Sequence, residues 1–176
     1  MKSRLYHFIV IVLLSLALFM PAEGIEYRFG TGLSIHGSDL PYDPGQGYNV
    51  LMEVGGLSET GHFLGLHMGY SGFLYNANKK LYHIGEIGFS SVLNLAPYRP
   101  DPYAVLGVGY SFASEGLDNG AYFMLGLGWK RSLSKGRQFF IQAAVNLGVN
   151  NQKAGIANDP GYLYIPITIG LNFYAP

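Results

Sequence analysis

The chain has 176 residues and no cysteine. Disulfides are therefore excluded as a source of stability, and so is lipid attachment through an N-terminal cysteine. Charge is scarce too: Asp, Glu, Lys and Arg make up 12% of the residues, against about 25% in an ordinary soluble domain. A water-facing surface is hard to assemble from that. Neither sign dominates, with Lys+Arg 11 and Asp+Glu 11, so the balance gives no indication of nucleic acid binding, for which a basic patch is expected. A helix-forming apolar run of the roughly 20 residues needed to span a bilayer is also lacking. The longest run, residues 9–20, comes after Lys2 and Arg4 and precedes "PAEG", where Ala22 and Gly24 occupy the small positions of a cleavage site. Residues 1–24 thus read as a secretory signal peptide and 25–176 as one exported domain.

Glycine and aromatic residues are abundant, with 25 Gly, 14 Tyr and 11 Phe. Glycine recurs as Gly-x-Gly in "FGTGLSI" (29–35), "LGVGYSF" (106–112) and "LGLGWKR" (125–131). A dinucleotide-binding loop needs a third glycine and then a helix, and none of the three pairs has either. These segments instead alternate with a period of two, the mark of a strand with two unlike faces.

Over 25–36 the odd positions Ile25, Tyr27, Phe29, Thr31, Leu33 and Ile35 are largely apolar, while Glu26, Arg28, Gly30, Gly32, Ser34 and His36 are small or polar. Seven more segments repeat the pattern, near 48–55, 64–71, 80–93, 103–112, 122–130, 138–149 and 162–173. The fourth is the least regular. His83 and Ile84 break its phase and suggest a bulge. Pro166, in the last strand, suggests another, because proline removes a ladder hydrogen bond; a lateral opening in the wall is the bolder reading. The connectors alternate in length. The two longest, "HGSDLPYDPGQG" and "NNQKAGIANDPG", come after odd strands, as expected if those face outside the cell and the others form periplasmic turns.

Eight such strands form either a soluble barrel with an apolar pocket or a membrane barrel with the faces reversed. An eight-stranded barrel is only just wide enough for side chains to fill its interior. The glycine face therefore belongs inside, making room for Arg28, Lys130, Tyr103, Tyr122 and Tyr164. The charged strand residues Glu26, Arg28, Glu53 and Lys130 share that phase, whereas Arg or Lys facing lipid costs about 2–4 kcal/mol at mid-depth. Outward aromatics collect near the strand ends as interface girdles do. Tyr27, Trp129, Phe139 and Phe173 fall at the periplasmic end, and Tyr48, Tyr70, Tyr110, Phe112 and Phe123 toward the outer one. The fold expected is all-β, an eight-stranded antiparallel up-and-down transmembrane β-barrel in the outer membrane.

On strand count, alternation and loop asymmetry, the chain resembles the small eight-stranded outer-membrane barrels, the type that includes the OmpA membrane domain, OmpX and Ail, and more loosely OmpW. The resemblance implies a monomer surrounded by outer-membrane lipid and lipopolysaccharide, inserted by the barrel assembly machinery. That machinery usually meets a terminal aromatic residue; here "ITIGLNFYAP" carries three residues beyond Phe173.

If Ser34 faces Gly47, then Arg28 faces Glu53; if Phe73 faces Lys80, then His67 faces Glu86. Arg28, Glu53, His67 and Glu86 thereby form one luminal ionic cluster, with Glu26 and Lys130 at its periplasmic end. In a packed interior its plain role is charge neutralisation. The resemblance to OmpA-like barrels implies a plug or gate in a narrow passage as the alternative, and OmpW-like barrels imply passage of small solutes. A lipid A-modifying enzyme is a further alternative by resemblance. However, His67 and Ser71 lie roughly 13 Å apart along one strand at about 3.3 Å per residue, and only Ser34 with His36 stand close, in reversed order, so no enzyme activity is expected. Loops 37–46 and 151–161, with Asp39, Asp43, Lys153 and Asp159 and little aromatic content beyond Tyr42, read as solvated connectors; the resemblance to Ail-like adhesins implies an extracellular ligand as the alternative. The histidines and carboxylates show no metal-ligand spacing, and no cofactor is implied.

Overall fold

The computed structural model describes residues 24–36, 44–75, 81–96, 102–114, 119–150 and 162–175. Eight strands run β1 (Gly24–His36), β2 (Pro44–Leu57), β3 (Phe63–Tyr75), β4 (Leu81–Asn94), β5 (Pro102–Ala113), β6 (Gly120–Ser134), β7 (Arg137–Asn150) and β8 (Leu163–Ala175). Each pairs antiparallel with the next, and β8 pairs with β1 to close the barrel. The signal peptide expected over 1–24 falls almost entirely on residues outside those described, as do Asp39, Tyr42, Asp43, Lys153 and Asp159.

Closure carries a stagger. The ladder from Glu26 passes through Gly55, Gly65, Ser90, Gly107, Met124, Asn146 and Tyr164 and returns to β1 at His36, ten residues further on. Such a shear accompanies the tilt of strands in a closed barrel and fixes its width. Alternation then decides what lines the bore. Leu125 and Leu127 are 61% and 65% exposed on the outside, whereas Glu26 and Arg28 are 1% exposed inside. The polarity is the reverse of a water-soluble protein's.

The bore is filled. Phe63, Tyr103, Tyr122, Met124 and Phe140 belong to one buried cluster, and Phe73, Ile84, Tyr162 and Tyr164 form a second. Two glycines illustrate how these rings find room: a Cβ at Gly128 would fall on the ring of Tyr103, and one at Gly148 on the ring of Tyr162. The periplasmic-type turns need glycine for another reason, since Gly61 and Gly136 adopt φ of 74° and 77°, a region that other residues enter at a cost.

Three expectations need correction. The β3–β4 hairpin pairs Phe73 with Tyr82, not Lys80, so His67 faces Gly88 and Glu86 faces Gly69. β4 contains no bulge: its registers with β3 and β5 are continuous, Ile84 points inward in phase, and His83 points outward. Ile84 misled because an apolar residue can line the bore when it packs beside Phe73 and Tyr164. Nor does β8 bulge at Pro166. Its register with β7 is the same on either side of the proline, and only the pairs expected at Ala144 and Val145 are missing.

Candidate functional site in the lumen

Alternation turns Glu26 and Arg28 of β1, Glu53 of β2, His67 of β3, Glu86 of β4 and Lys130 of β6 into the bore, and all six are buried. Register brings the first four links together. Arg28 is the direct partner of Glu53, and Glu53 of His67. Arg28 Nη1 donates to Glu53 Oε2 at 2.5 Å, and His67 Nδ1 lies 3.0 Å from Glu53 Oε1. Although His67 and Glu86 are not opposed, the glutamate leans back along the bore to bring Oε2 within 3.6 Å of His67 Nε2. Gly69 permits this approach; a Cβ there would lie 2.9 Å from both atoms. At the other end Glu26 Oε1 lies 3.8 Å from Arg28 Nε. Carboxylate and base thus alternate through five side chains. Lys130 stands apart from the chain of contacts, its Nζ 6.0 Å from the centroid of the Tyr103 ring.

Several polar partners come from across the bore. Arg28 Nη2 donates to Tyr103 Oη and to Gln142 Oε1, both at 3.2 Å, and its Nε to Asn172 Oδ1 at 3.4 Å. The guanidinium also lies 4.7 Å from the Phe140 ring centroid, a favourable place for a cation over an aromatic face. Asn146 Nδ2 donates to Glu86 Oε2 at 2.9 Å and to Tyr164 Oη at 3.0 Å. The alternation placed Gln142, Asn146 and Asn172 on the inward phase; Asn172 is the direct cross-strand neighbour of Arg28 where β8 closes on β1, but the roles of Gln142 and Asn146 as partners of Arg28 and Glu86 depend on curvature, which a linear pattern does not carry. Beside His67, Glu86, Asn146 and Tyr164 remains a cavity of about 20 Å³, room for roughly one water molecule. Among the described residues no three histidine or carboxylate side chains gather as a metal site. His67 directs Nδ1 to Glu53, and Ser71 shares a hydrogen bond with Ser34 at 3.1 Å, so both are engaged elsewhere than with each other.

The outward aromatics lie near the two rims. Tyr27 pairs with Phe173 across β1 and β8, Trp129 with Ile141, and Phe139 with Arg131, all toward the short-turn end. Toward the opposite rim, the rings of Tyr48 and Tyr70 stand 5.9 Å apart and those of Tyr110 and Phe112 5.1 Å apart, while Phe123 faces Val108. His83, the residue that broke the phase, hydrogen-bonds through Nδ1 to Tyr70 Oη on this outer surface.

No protein-family model matches the chain, and neither does any curated protein sequence. Among solved structures, Neisserial surface protein A (NspA) matches over 87% of this chain and 98% of its own, with a TM-score of 0.58 and 14% identity. The chain shares the barrel fold of NspA. At this identity the likeness to NspA concerns architecture alone. Designed transmembrane β-barrels also match, over 89% of this chain and 100% of theirs, with a TM-score of 0.48 and 11% identity.

Proposed function

We propose that the protein is a small integral outer-membrane β-barrel, exported by residues 1–24 and inserted by the barrel assembly machinery, with a plugged polar lumen and a structural or surface-interactive, adhesin-like role. One observation carries the reading: large apolar side chains cover the outside while six ionisable groups are sealed inside. Lipid is the solvent that makes such a distribution favourable. The luminal chain of carboxylates and bases neutralises itself and ties seven of the eight strands together through Arg28, Glu53, His67, Glu86 and Asn146 with their partners on β5 and β8. A rigid stave of this kind suits the display of the connectors that leave β1, β3, β5 and β7 at the end opposite Gly24 and Ala175, where an extracellular ligand would be met.

The reading is tested by heat-modifiable migration of the protein from an outer-membrane fraction, which reports location and closure together. Recovery from periplasmic extract as a detergent-free monomer would reject it. A narrow gated passage is the second reading, favoured by the run of polar groups along the bore and the cavity beside Glu86. Planar-bilayer recordings decide between them: a plugged barrel gives featureless traces for the parent, Glu53→Gln and Glu86→Gln alike, whereas a gate gives conductance steps that change with the substitution.

A further inference from the structure

The β6–β7 hairpin carries a charge pattern that neither folding nor the lumen uses. "KRSLSKGR", residues 130–137, holds four of the chain's eleven Lys and Arg, and no acidic residue occurs between Asp118 and Asp159. Lys130 is buried in the bore, but Arg131, Lys135 and Arg137 are exposed. Among the described residues none of these three has an ion-pair partner. The hairpin is also held in place. β6 is the longest strand, Gly136 makes the tight turn, and Gly136 O accepts a hydrogen bond of 2.9 Å from Tyr174 N on β8.

Apolar groups accompany the cations. Trp129 precedes Arg131 on the outward phase, Phe139 is the cross-strand partner of Arg131, and Leu133, 61% exposed, lies between the charges. A purely solvated turn has no use for an exposed leucine flanked by a tryptophan and a phenylalanine. A membrane boundary has: aromatic rings sit at headgroup level, and Lys or Arg just beyond them reaches the phosphates. The hairpin lies at the same end as Gly24 of β1 and Ala175 of β8, the end of the short turns, which in outer-membrane barrels is periplasmic.

We propose that Arg131, Lys135 and Arg137, with Trp129 and Leu133, form a binding surface for the phosphate of an anionic phospholipid, phosphatidylglycerol in class, in the periplasmic leaflet. The inference rests on the outer-membrane reading above. Charge complementarity selects this occupant: Trp129 and Leu133 lie at the headgroup boundary while three unpaired cations meet one sign of headgroup, and a neutral zwitterionic lipid offers them no net charge. Each cation near an anionic surface contributes about fivefold in affinity, so the three together supply roughly a hundredfold at low salt, and salt weakens the effect as screening shortens.

The full mature barrel is reconstituted in nanodiscs of phosphatidylcholine mixed with phosphatidylglycerol, and the lipids retained after detergent extraction are counted by native mass spectrometry. Retention of phosphatidylglycerol above its share of the mixture is expected for the parent and for Arg131→Lys with Arg137→Lys. Arg131→Gln, Lys135→Gln and Arg137→Gln combined is expected to lose it, with heat-modifiable migration unchanged. Equal retention by parent and triple variant overturns the proposal while leaving the barrel reading intact. Loss of charge-dependent binding to an acidic soluble polymer, with lipid retention unaffected, overturns it in favour of a periplasmic macromolecule. A parent that fails to insert even in phosphatidylcholine alone removes the membrane reading, and the lipid surface with it.

Discussion

Arg28 and Glu53 are direct cross-strand partners whose side chains meet at 2.5 Å with 1% and 0% of their surface exposed. The same carboxylate takes His67 at 3.0 Å through its other oxygen, so one glutamate joins two bases on two strands. In a medium that cannot solvate a stranded ion, the arrangement is fragile to any change that removes a single member.

Glu53→Gln is accordingly expected to destabilise the barrel by about 3–5 kcal/mol, because Arg28 keeps its charge and retains only Glu26, 3.8 Å from its Nε, as an ionic neighbour. Arg28→Met with Glu53→Leu is expected to cost less than Glu53→Gln alone, since the guanidinium is removed together with the carboxylate it pairs with and the net charge of the bore is unchanged. Urea midpoints of the refolded protein in lipid vesicles measure both. A Glu53→Gln variant within about 1 kcal/mol of the parent would show that the pair is dispensable.

The glycines can be separated by what lies above them. A Cβ at Gly128 meets the ring of buried Tyr103, whereas one at outward Gly85 has its nearest atom, Phe112 O, at 3.9 Å. Gly128→Ala is expected to cost about 1–3 kcal/mol through overpacking, and Gly85→Ala to stay within about 0.5 kcal/mol of the parent. The same vesicle titration ranks them. Equal effects would mean that the bore is looser than the packing of Tyr103 implies.

Two equally exposed leucines distinguish a lipid-facing surface from an aqueous one. Leu125 and Leu133 are both 61% exposed. Leu125 lies between Phe123 and Trp129 on the outward phase of β6, and Leu133 lies beyond Trp129. Leu125→Arg is expected to destabilise the membrane-inserted protein by about 2–4 kcal/mol and Leu133→Arg by about 0–1 kcal/mol. Folding free energies in vesicles provide the comparison. Indifference at both positions is what an aqueous surface predicts, and it would contradict the membrane reading.

Eight strands were legible because alternation fixes phase, while the facing of Arg28 against Glu53 followed only from the assumed pairing of Ser34 with Gly47, which the ladder has. The offset of His67 from Glu86 was not, because "NANKK" offers several equivalent closures differing by two residues, each of which keeps the same side chains inside. Strand ends also escaped the pattern. Pro44 to Gly47 and Arg131 to Ser134 continue the ladders of β2 and β6, yet lie past the apolar band, so no alternation of greasy and polar residues marks them. His83 looked like an error of phase because histidine is rare on a lipid-facing surface; Tyr70 supplies the hydrogen bond that allows it.

Pro166 opens a local weakness in the wall whose direction is set by the ladder. Gly148 N donates to Tyr162 O, so even-numbered residues of β8 turn their backbone groups toward β7. Pro166 is one of these, and its missing N–H falls on Ala144 of β7, where the ladder skips two pairs between Ala143 and Asn146. The β1 side is unaffected, with Ser34 still opposite Pro166. Pro166→Ala restores a donor facing β7 and is expected to add about 1 kcal/mol of stability, with slower hydrogen exchange at the amide of Ala144, which faces β8 opposite it. A proline that held β8 in shape for some other reason would give the opposite result, lower stability and faster exchange across the β1–β8 ladder as well, and exchange mapped residue by residue in detergent micelles separates the two.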